Sequence, residues 1–119
     1  MTGRFAVRTV ASGIKFDLKA PNGQTLMTSE VYDSLAACNR GIASVRKNAP
    51  TAPVEDRTES NFPSHANPKF EVYLDKAGAY RFRLKARNGK VIGISDGYTT
   101  KANCLSGIDS IKEHITEET

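Results

Sequence analysis

Apolar and polar residues alternate in three runs between residues 4 and 29. Alternation with a period of two predicts β-strands that bury one face and expose the other. Asn22-Gly23 separates the second run from the third, and an Asn-Gly pair between alternating runs is typical of a type I′ hairpin turn. We therefore predict a three-stranded antiparallel meander, whose apolar face carries Phe5, Val7, Ile14, Phe16, Leu18 and Ala20.

A helical pattern follows the meander. Either Asp33 or Ser34 can cap a helix that begins near residue 35. Three-and-four spacing predicts one apolar stripe along this helix, packed on the meander and formed by Leu35, Cys38, Ile42 and Val45. Gly41 lies inside the helix, where glycine costs about 1 kcal/mol relative to alanine. We interpret it as a sign of close backbone approach, either of helix to sheet or of helix to helix.

The same order of elements returns 66 residues later. Thirteen of the thirty-four residues from 15 to 48 are identical to their partners 66 positions on, which establishes an internal repeat. Thr99 or Thr100 is the predicted cap of the second helix, and Gly107 is the partner of Gly41. The predicted core of the second copy is Phe70, Val72, Leu74, Tyr80, Phe82, Leu84, Ala86, Leu105, Ile108, Ile111 and Ile115.

Prolines and polar residues separate the two copies. We predict a first repeat over residues 1–58, a linker over 59–67 and a second repeat over 68–119, with both repeats forming one compact unit. Residues 52–58 suit a short edge strand, which can pair within its own repeat or with the other. We expect no matching strand after the second helix, because few residues follow it. The predicted fold is α+β: two tandem βββα(β) repeats, antiparallel meanders each packed by one helix, in a pseudo-twofold arrangement.

Composition narrows the class of protein. The chain has 39% apolar and 25% charged residues and a formal net charge of +4, which permits an acidic partner without requiring one. Cys38 and Cys104 are equivalent in the repeats, and no CxxC motif occurs, so we expect no metal and no cofactor. No apolar run reaches 18 residues, so we expect no membrane span and a cytoplasmic monomer.

One row of basic residues is the densest charge in the chain. It comprises Arg81, Arg83, Lys85 and Arg87, with Lys90 beyond the turn. Alternate strand residues stand about 6.5–7 Å apart, comparable to phosphates along a nucleic-acid strand. Tyr73 on the neighbouring strand offers a stacking face for a base. The row also fits a solvated sheet face, since carboxylates of the neighbouring strand can pair with it.

A second candidate is duplicated. Ser29 and Tyr32 recur as Ser95 and Tyr98 just before each helix, which suggests two equivalent pockets at helix N-termini. The competing interpretation is that each tyrosine packs at the edge of the core.

Catalytic patterns are lacking in the sequence. Cys38 and Cys104 fall on apolar helix stripes, as expected of cysteine that behaves as a small hydrophobe. No histidine stands at catalytic spacing from either one, and no Gly-rich phosphate loop occurs. We therefore predict that the protein is not an enzyme.

The order of hairpin, Asn-Gly turn, Ser-x-x-Tyr and Ala-x-Cys-x-x-Gly-Ile resembles the YegP-like family, short bacterial tandem-repeat domains of unknown function. The likeness rests on residues 45–58, 70–73, 80–86, 88–89, 95–98 and 101–111. The first copy departs from it, because Asp17 stands where the second copy has Arg83 and Val31 where it has Gly97. The resemblance implies the α+β repeat fold and implies no activity.

These observations leave three functional hypotheses. The first is a non-catalytic cytoplasmic binding or interaction module whose ligand the sequence does not identify. The second is binding of a nucleic acid, an acidic protein or another polyanion through the basic strand face at 81–90. The third is an uncharacterised enzyme.

Overall fold

The computed structural model describes residues 4–118, and the side chains of residues 4–115. Nine elements follow one another along the chain. They are β1 (Arg4–Val10), β2 (Gly13–Lys19), β3 (Thr25–Ser29), α1 (Leu35–Asn48), β4 (Val54–Asp56), β5 (Lys69–Leu74), β6 (Tyr80–Lys85), β7 (Val91–Ile94) and α2 (Lys101–Glu118).

The seven strands form one mixed sheet in the order β1-β2-β3-β7-β6-β5-β4. Each repeat contributes an antiparallel meander, and the two meanders join where β3 pairs antiparallel with β7. Thr28 lies opposite Ile94, its own partner in the repeat, so a pseudo-twofold axis passes through this pair. The α+β fold of two related repeats is thereby confirmed.

Both helices contact strands of both repeats. α1 packs on β2 and on β7, whereas α2 packs on β5, β6 and β3. A single cluster of buried side chains lies between the helices and the sheet, and its largest members are Phe16, Phe70, Phe82, Leu18, Met27 and Leu84. Within residues 4–118, neither helix has the length and apolar content needed to cross a membrane.

The helix starts agree with the sequence. Oγ of Ser34 accepts a hydrogen bond from the backbone N–H of Ala37 at 3.1 Å, and Oγ1 of Thr100 accepts one from Asn103 at the same distance. Ser34 and Thr100, rather than Asp33 and Thr99, are therefore the caps.

Three residues predicted to be in the core are exposed instead. Val7 is 45% exposed, Leu35 is 53% exposed and Leu74 is 49% exposed. Val7 lies on β1, an edge strand with no further strand beside it among the described residues. Leu35 begins α1, and Leu74 ends β5 beyond the end of β4, so apolar periodicity alone overestimates burial at sheet edges and helix ends.

The strand within residues 52–58 pairs with the other repeat. β4 runs parallel to β5, with Glu55 opposite Glu71. Residues 57–68 contain no helix or strand. They nevertheless contact the sheet, since the backbone N–H of Arg57 donates to the carbonyl of Val72 and the backbone N–H of His65 donates to Glu55.

Candidate functional site

Two related clefts lie between a helix of one repeat and a hairpin of the other. The first cleft separates α1 from the β6–β7 hairpin and consists of two adjoining depressions of about 470 Å³ each. The second cleft, of about 510 Å³, separates α2 from the β2–β3 hairpin. Residues 66 positions apart line the two clefts at matching places: Ala20 and Ala86, Asn22 and Asn88, Leu26 and Ile92, Tyr32 and Tyr98, Gly41 and Gly107, Ser44 and Ser110.

The hairpin that forms one wall of each cleft has a three-residue loop rather than a two-residue turn. Ala86 accepts a hydrogen bond from the backbone N–H of Gly89, and its own N–H donates to the carbonyl of Lys90. Only the glycine has a positive φ, of 85°, so the loop is a type I turn followed by a left-handed glycine. Gly23 is equivalent in the first repeat. The predicted type I′ turn was wrong, because it would need positive φ at the asparagine as well.

Tyr32 lines the first cleft and Tyr98 lines the second. Their rings stack on Phe16 and Phe82, with centroids 6.2 and 6.4 Å apart. Neither hydroxyl has a hydrogen-bond partner among the residues that the structure describes. Burial raises the pKa of both hydroxyls, which keeps them protonated and able to donate to a ligand.

The helix glycines are explained by these rings. The side chain of Tyr32 lies against Gly41, and a Cβ placed on Gly107 would lie 2.6 Å from the hydroxyl oxygen of Tyr98. The close approach is therefore between helix backbone and a tyrosine ring. Phe16 of β2 and Phe82 of β6 also lie 3.1 and 3.2 Å from these Cβ positions, so the predicted close approach of helix to sheet is present and is made through aromatic rings.

Ser29 and Ser95 lie elsewhere and have structural roles. Oγ of Ser29 accepts from the backbone N–H of Phe16 at 2.9 Å and donates to the carbonyl of Glu30 at 2.7 Å. Ser95 repeats both bonds with Phe82 and Asp96. The two serines line a depression at the axis that includes neither tyrosine, so serine and tyrosine do not form a common pocket.

The two clefts differ in charge. Four exposed cations line the first cleft: Arg40, Lys47, Arg87 and Lys90. None of the four forms an ion pair with another described residue. Glu30 is an acidic residue that lines the same cleft. The residues at the corresponding positions of the second cleft are Ser106 and Glu113 on α2 and Pro21 and Gln24 on the β2–β3 hairpin, so the second cleft lacks this charge.

Residues from the predicted basic row are divided between two surfaces. Arg87 and Lys90 line the first cleft, whereas Arg81, Arg83 and Lys85 lie on the sheet face opposite the helices. The sequence did not indicate Arg40 or Lys47. Those two residues come from the other repeat, and only the crossing of α1 onto the second hairpin brings them beside Arg87.

On the sheet face, carboxylates neutralise the row. Nε of Arg81 donates to Asp75 at 2.7 Å, and Nε of Arg83 donates to Glu71 at 2.6 Å. The guanidinium of Arg83 lies 4.5 Å from the ring centre of Tyr73 and covers one face of it. Lys85 is 3.5 Å from Glu71. The competing interpretation from the sequence was that carboxylates of the neighbouring strand pair with the basic row. These ion pairs are present, and they leave this face less cationic than the row alone would make it.

Two buried carboxylates bind the basic residues on the part of the sheet face formed by β4 and β5. Glu55 and Glu71 are 1% and 0% exposed, and Lys69 bridges them with Nζ at 2.9 and 3.3 Å. Burial alone would raise the pKa of Glu55. The hydrogen bonds from His65 and Lys69 outweigh burial and lower that pKa to about 2. Glu71 behaves in the same way, with Arg83 as its main partner. This cluster holds β4 on β5.

The thiols and histidines of residues 4–115 belong to no group that could hold a metal ion. Cys38 and Cys104 are fully buried, and burial raises the pKa of the Cys104 thiol to about 11. Nδ1 of His114 lies 3.1 Å from the hydroxyl of Ser110. No group of three His, Cys, Asp or Glu side chains is placed to hold a metal ion in this part of the chain.

Comparison with known proteins identifies the repeat. The domain of unknown function DUF1508 matches twice, at residues 11–56 and 75–119. The UPF0339 protein YegP of Escherichia coli O157:H7 is 38% identical over 120 residues, which cover 100% of this chain and 96% of the relative. A UPF0339 protein of Methanosarcina acetivorans is 59% identical over 46 residues, 39% of this chain and 79% of the relative, which is therefore about one repeat long.

Solved structures show the same architecture. The solution NMR structure of the E. coli protein of unknown function yegP superimposes with a TM-score of 0.78 at 34% identity. The superposition covers 98% of this chain and 88% of that one. With two family matches and relatives aligned along its whole length, the chain belongs to the UPF0339 family of YegP-like proteins, which are built from the DUF1508 domain.

Proposed function

We propose that the protein is a non-catalytic binding module of the bacterial cytoplasm that takes an anionic ligand in the first cleft. The observation that carries this proposal is the convergence of Arg40, Lys47, Arg87 and Lys90 on one concave surface without ion-pair partners among the described residues. Cations that are already neutralised gain little from an anion, whereas unpaired cations along a cleft attract one.

The first cleft also offers hydrogen-bond donors. The Tyr32 hydroxyl is protonated and unpartnered, and it lies in the depression that Lys90 and Arg40 line. Guanidinium and ammonium groups beside a neutral donor suit phosphate or carboxylate oxygens. For the nucleic-acid hypothesis, the proposed binding surface is therefore the β6–β7 hairpin with α1, instead of the strand face at 81–85.

Buried thiols support the non-catalytic and cytoplasmic parts of the proposal. Cys38 and Cys104 are inaccessible, and their raised pKa opposes formation of a nucleophilic thiolate. Free, unpaired cysteines suit a reducing compartment. Rapid labelling of either thiol in the native protein, or turnover that depends on a single residue, would instead favour the enzyme hypothesis.

An amide-shift titration with single-stranded RNA and with duplex DNA tests the cleft. We expect shifts at residues 40, 47, 87 and 90 that persist at physiological salt, and smaller ones at 81–85. Arg87→Gln with Lys90→Gln should weaken binding at least tenfold. The matched control, Lys15→Gln with Lys76→Gln, removes the same charge outside the cleft and should retain most of the affinity.

Two results would count against the cleft, and a third outcome calls for a further titration. Equal weakening by both double variants would mean that net charge alone attracts the polyanion. Shifts confined to residues 81–85 would return the site to the strand face. With no shifts for either nucleic acid, titration with inorganic phosphate and with a polyglutamate peptide decides whether any anion binds.

A further inference from the structure

The outer edge of β5 is covered by the parallel strand β4, which is held by backbone hydrogen bonds. The backbone N–H of Phe70 donates to the carbonyl of Pro53 at 2.8 Å, and the carbonyl of Val72 accepts from the N–H of Arg57 at 2.8 Å. Phe70 and Val72 are thus the residues whose backbone groups face outward to receive β4. Both side chains are fully buried.

β1 is the counterpart of β5 in the first repeat. Phe5 pairs with Leu18 as Phe70 pairs with Leu84, and Val7 pairs with Phe16 as Val72 pairs with Phe82. The backbone groups of Phe5 and Val7 therefore face outward as well. No strand within residues 4–118 covers them. Val7 is 45% exposed, whereas its counterpart Val72 is 0% exposed.

We propose that the outer edge of β1 binds an extended segment of a partner protein, added parallel to β1 as β4 is added to β5. This site is separate from the first cleft and does not depend on the function proposed for it. Addition of a strand to an exposed sheet edge is a common mode of peptide recognition. Here the second repeat supplies the template for its register and direction.

The side chains around the edge define the sequence of the partner strand. In β4, Glu55 points to the sheet face opposite the helices and pairs with Lys69. Arg4 takes the place of Lys69, and Ala6 takes the place of the competing carboxylate Glu71. The central residue of the partner strand is therefore acidic.

The helix side of the edge selects apolar residues. In the second repeat, Nζ of Lys101 at the start of α2 binds the carboxylate of Asp56 at 3.0 Å. Leu35 takes the place of Lys101 at the start of α1 and is 53% exposed. Leu35 and Val7 together offer apolar surface to the residue of the partner strand that corresponds to Asp56. The partner strand thus reads apolar, acidic, apolar.

Charge disfavours a second copy of this chain as the occupant. Arg4 and Arg8 both lie on β1, and pairing of two β1 strands would bring like charges together. Sedimentation or light scattering tests this point. A dimer that dissociates on changing Val7 to proline would overturn the proposal, because a second copy would then cover the edge.

The probe is the peptide Thr-Ala-Pro-Val-Glu-Val-Arg-Thr, a copy of residues 51–58 with Asp56→Val. We expect it to shift the amides of Phe5, Val7 and Thr9 in the intact protein. Val7→Pro removes one outward N–H from an edge position that proline tolerates, and should weaken binding at least tenfold. Val7→Thr keeps that N–H and should bind within threefold of the natural chain.

Changes in the peptide test the proposal without altering the protein fold. N-methylation at its arginine removes the donor that corresponds to Arg57 and should abolish binding. N-methylation at its second valine alters an N–H that points away and should leave binding intact. Replacing its glutamate by lysine should weaken binding at least tenfold. No shift at β1, or equal effects of both N-methylations, would overturn the proposal.

Discussion

The side chain of Met27 occupies the space beside the Cα of Gly93, across the pseudo-twofold axis. A Cβ placed on Gly93 would lie 2.7 Å from Cγ of Met27. Met27 and Gly93 are partners in the repeat, 66 positions apart, and Met27 is fully buried. Two identical side chains would collide at the axis, so one repeat supplies the large residue and the other supplies none.

Exchanging these two residues should therefore be tolerated better than changing either one. We expect Met27→Gly alone to cost about 2–5 kcal/mol by leaving a cavity. Gly93→Met alone should cost about 1–3 kcal/mol or more by overpacking. The double variant should recover at least half of the summed loss. Urea unfolding measures all three, and strictly additive losses would show that the two positions do not share one space.

The contact between Tyr98 and Gly107 leads to a second prediction. Gly107→Ala should destabilise the protein by about 1–3 kcal/mol, although alanine favours the helix by about 1 kcal/mol. Tyr98→Phe removes the oxygen that lies 2.6 Å from the added carbon and leaves neighbours at 3.2 Å. It should therefore relieve much of the loss in the double variant, as measured by chemical denaturation.

Ser106→Ala is the matched control for this change. Ser106 is exposed on the same helix, one residue before Gly107, and alanine there should leave stability unchanged or raise it slightly. If Gly107→Ala behaved like this control, the tyrosine would have room to move away from α2.

The repeat made most of the fold predictable. Period-two alternation located the meanders, and three-and-four spacing with Ser34 and Thr100 located the helices. The pairing of β3 with β7 was not predictable in the same way. In the sequence, only the contrast between Met27 and Gly93 at equivalent positions indicates that these strands meet at an axis. That contrast can be interpreted only after the structure has shown where the axis lies.

The candidate site was less predictable, because it combines residues from both repeats. Arg87 was found in a local run of charge, but Arg40 lies 47 positions earlier on an exposed helix face without any motif. Local periodicity indicates which face of an element is polar. It does not indicate which polar face of another element lies opposite, since that depends on the long-range crossing of α1 onto the second hairpin.

Arginines from the two surfaces should respond differently to substitution. Arg83→Gln removes the 2.6 Å bond to Glu71, a carboxylate without exposed surface, and should cost about 1–3 kcal/mol. Arg87→Gln changes an exposed side chain in a turn and should stay within about 0.5 kcal/mol of the natural chain. Thermal unfolding of both variants at one pH compares them directly. Equal losses would contradict the division of the row between a structural face and a cleft.

Acid should unfold the protein partly through Glu55. The pKa of this carboxyl is about 2 in the folded chain, against an ordinary value of 4.5. A folded pKa that is depressed adds stability at pH values above 4.5, and that stability is lost as the pH falls from about 4.5 towards 2. The pKa of Glu71 is lowered as well, so it contributes in the same direction. The melting temperature should therefore fall most steeply over this interval.

Glu55→Gln measures how much of the loss of stability at low pH is due to protonation of Glu55. At pH 7 it should cost about 3 kcal/mol, because Lys69 then lacks its nearest carboxylate in a site that is largely buried. Below pH 4.5 the variant should lose less further stability than the natural chain. Glu59→Gln is the control, since the side chain of Glu59 is 65% exposed and its removal should leave the acid response unchanged. An acid response that Glu55→Gln does not reduce would assign acid unfolding to other carboxyls, with Glu71 and Asp17 the next to change.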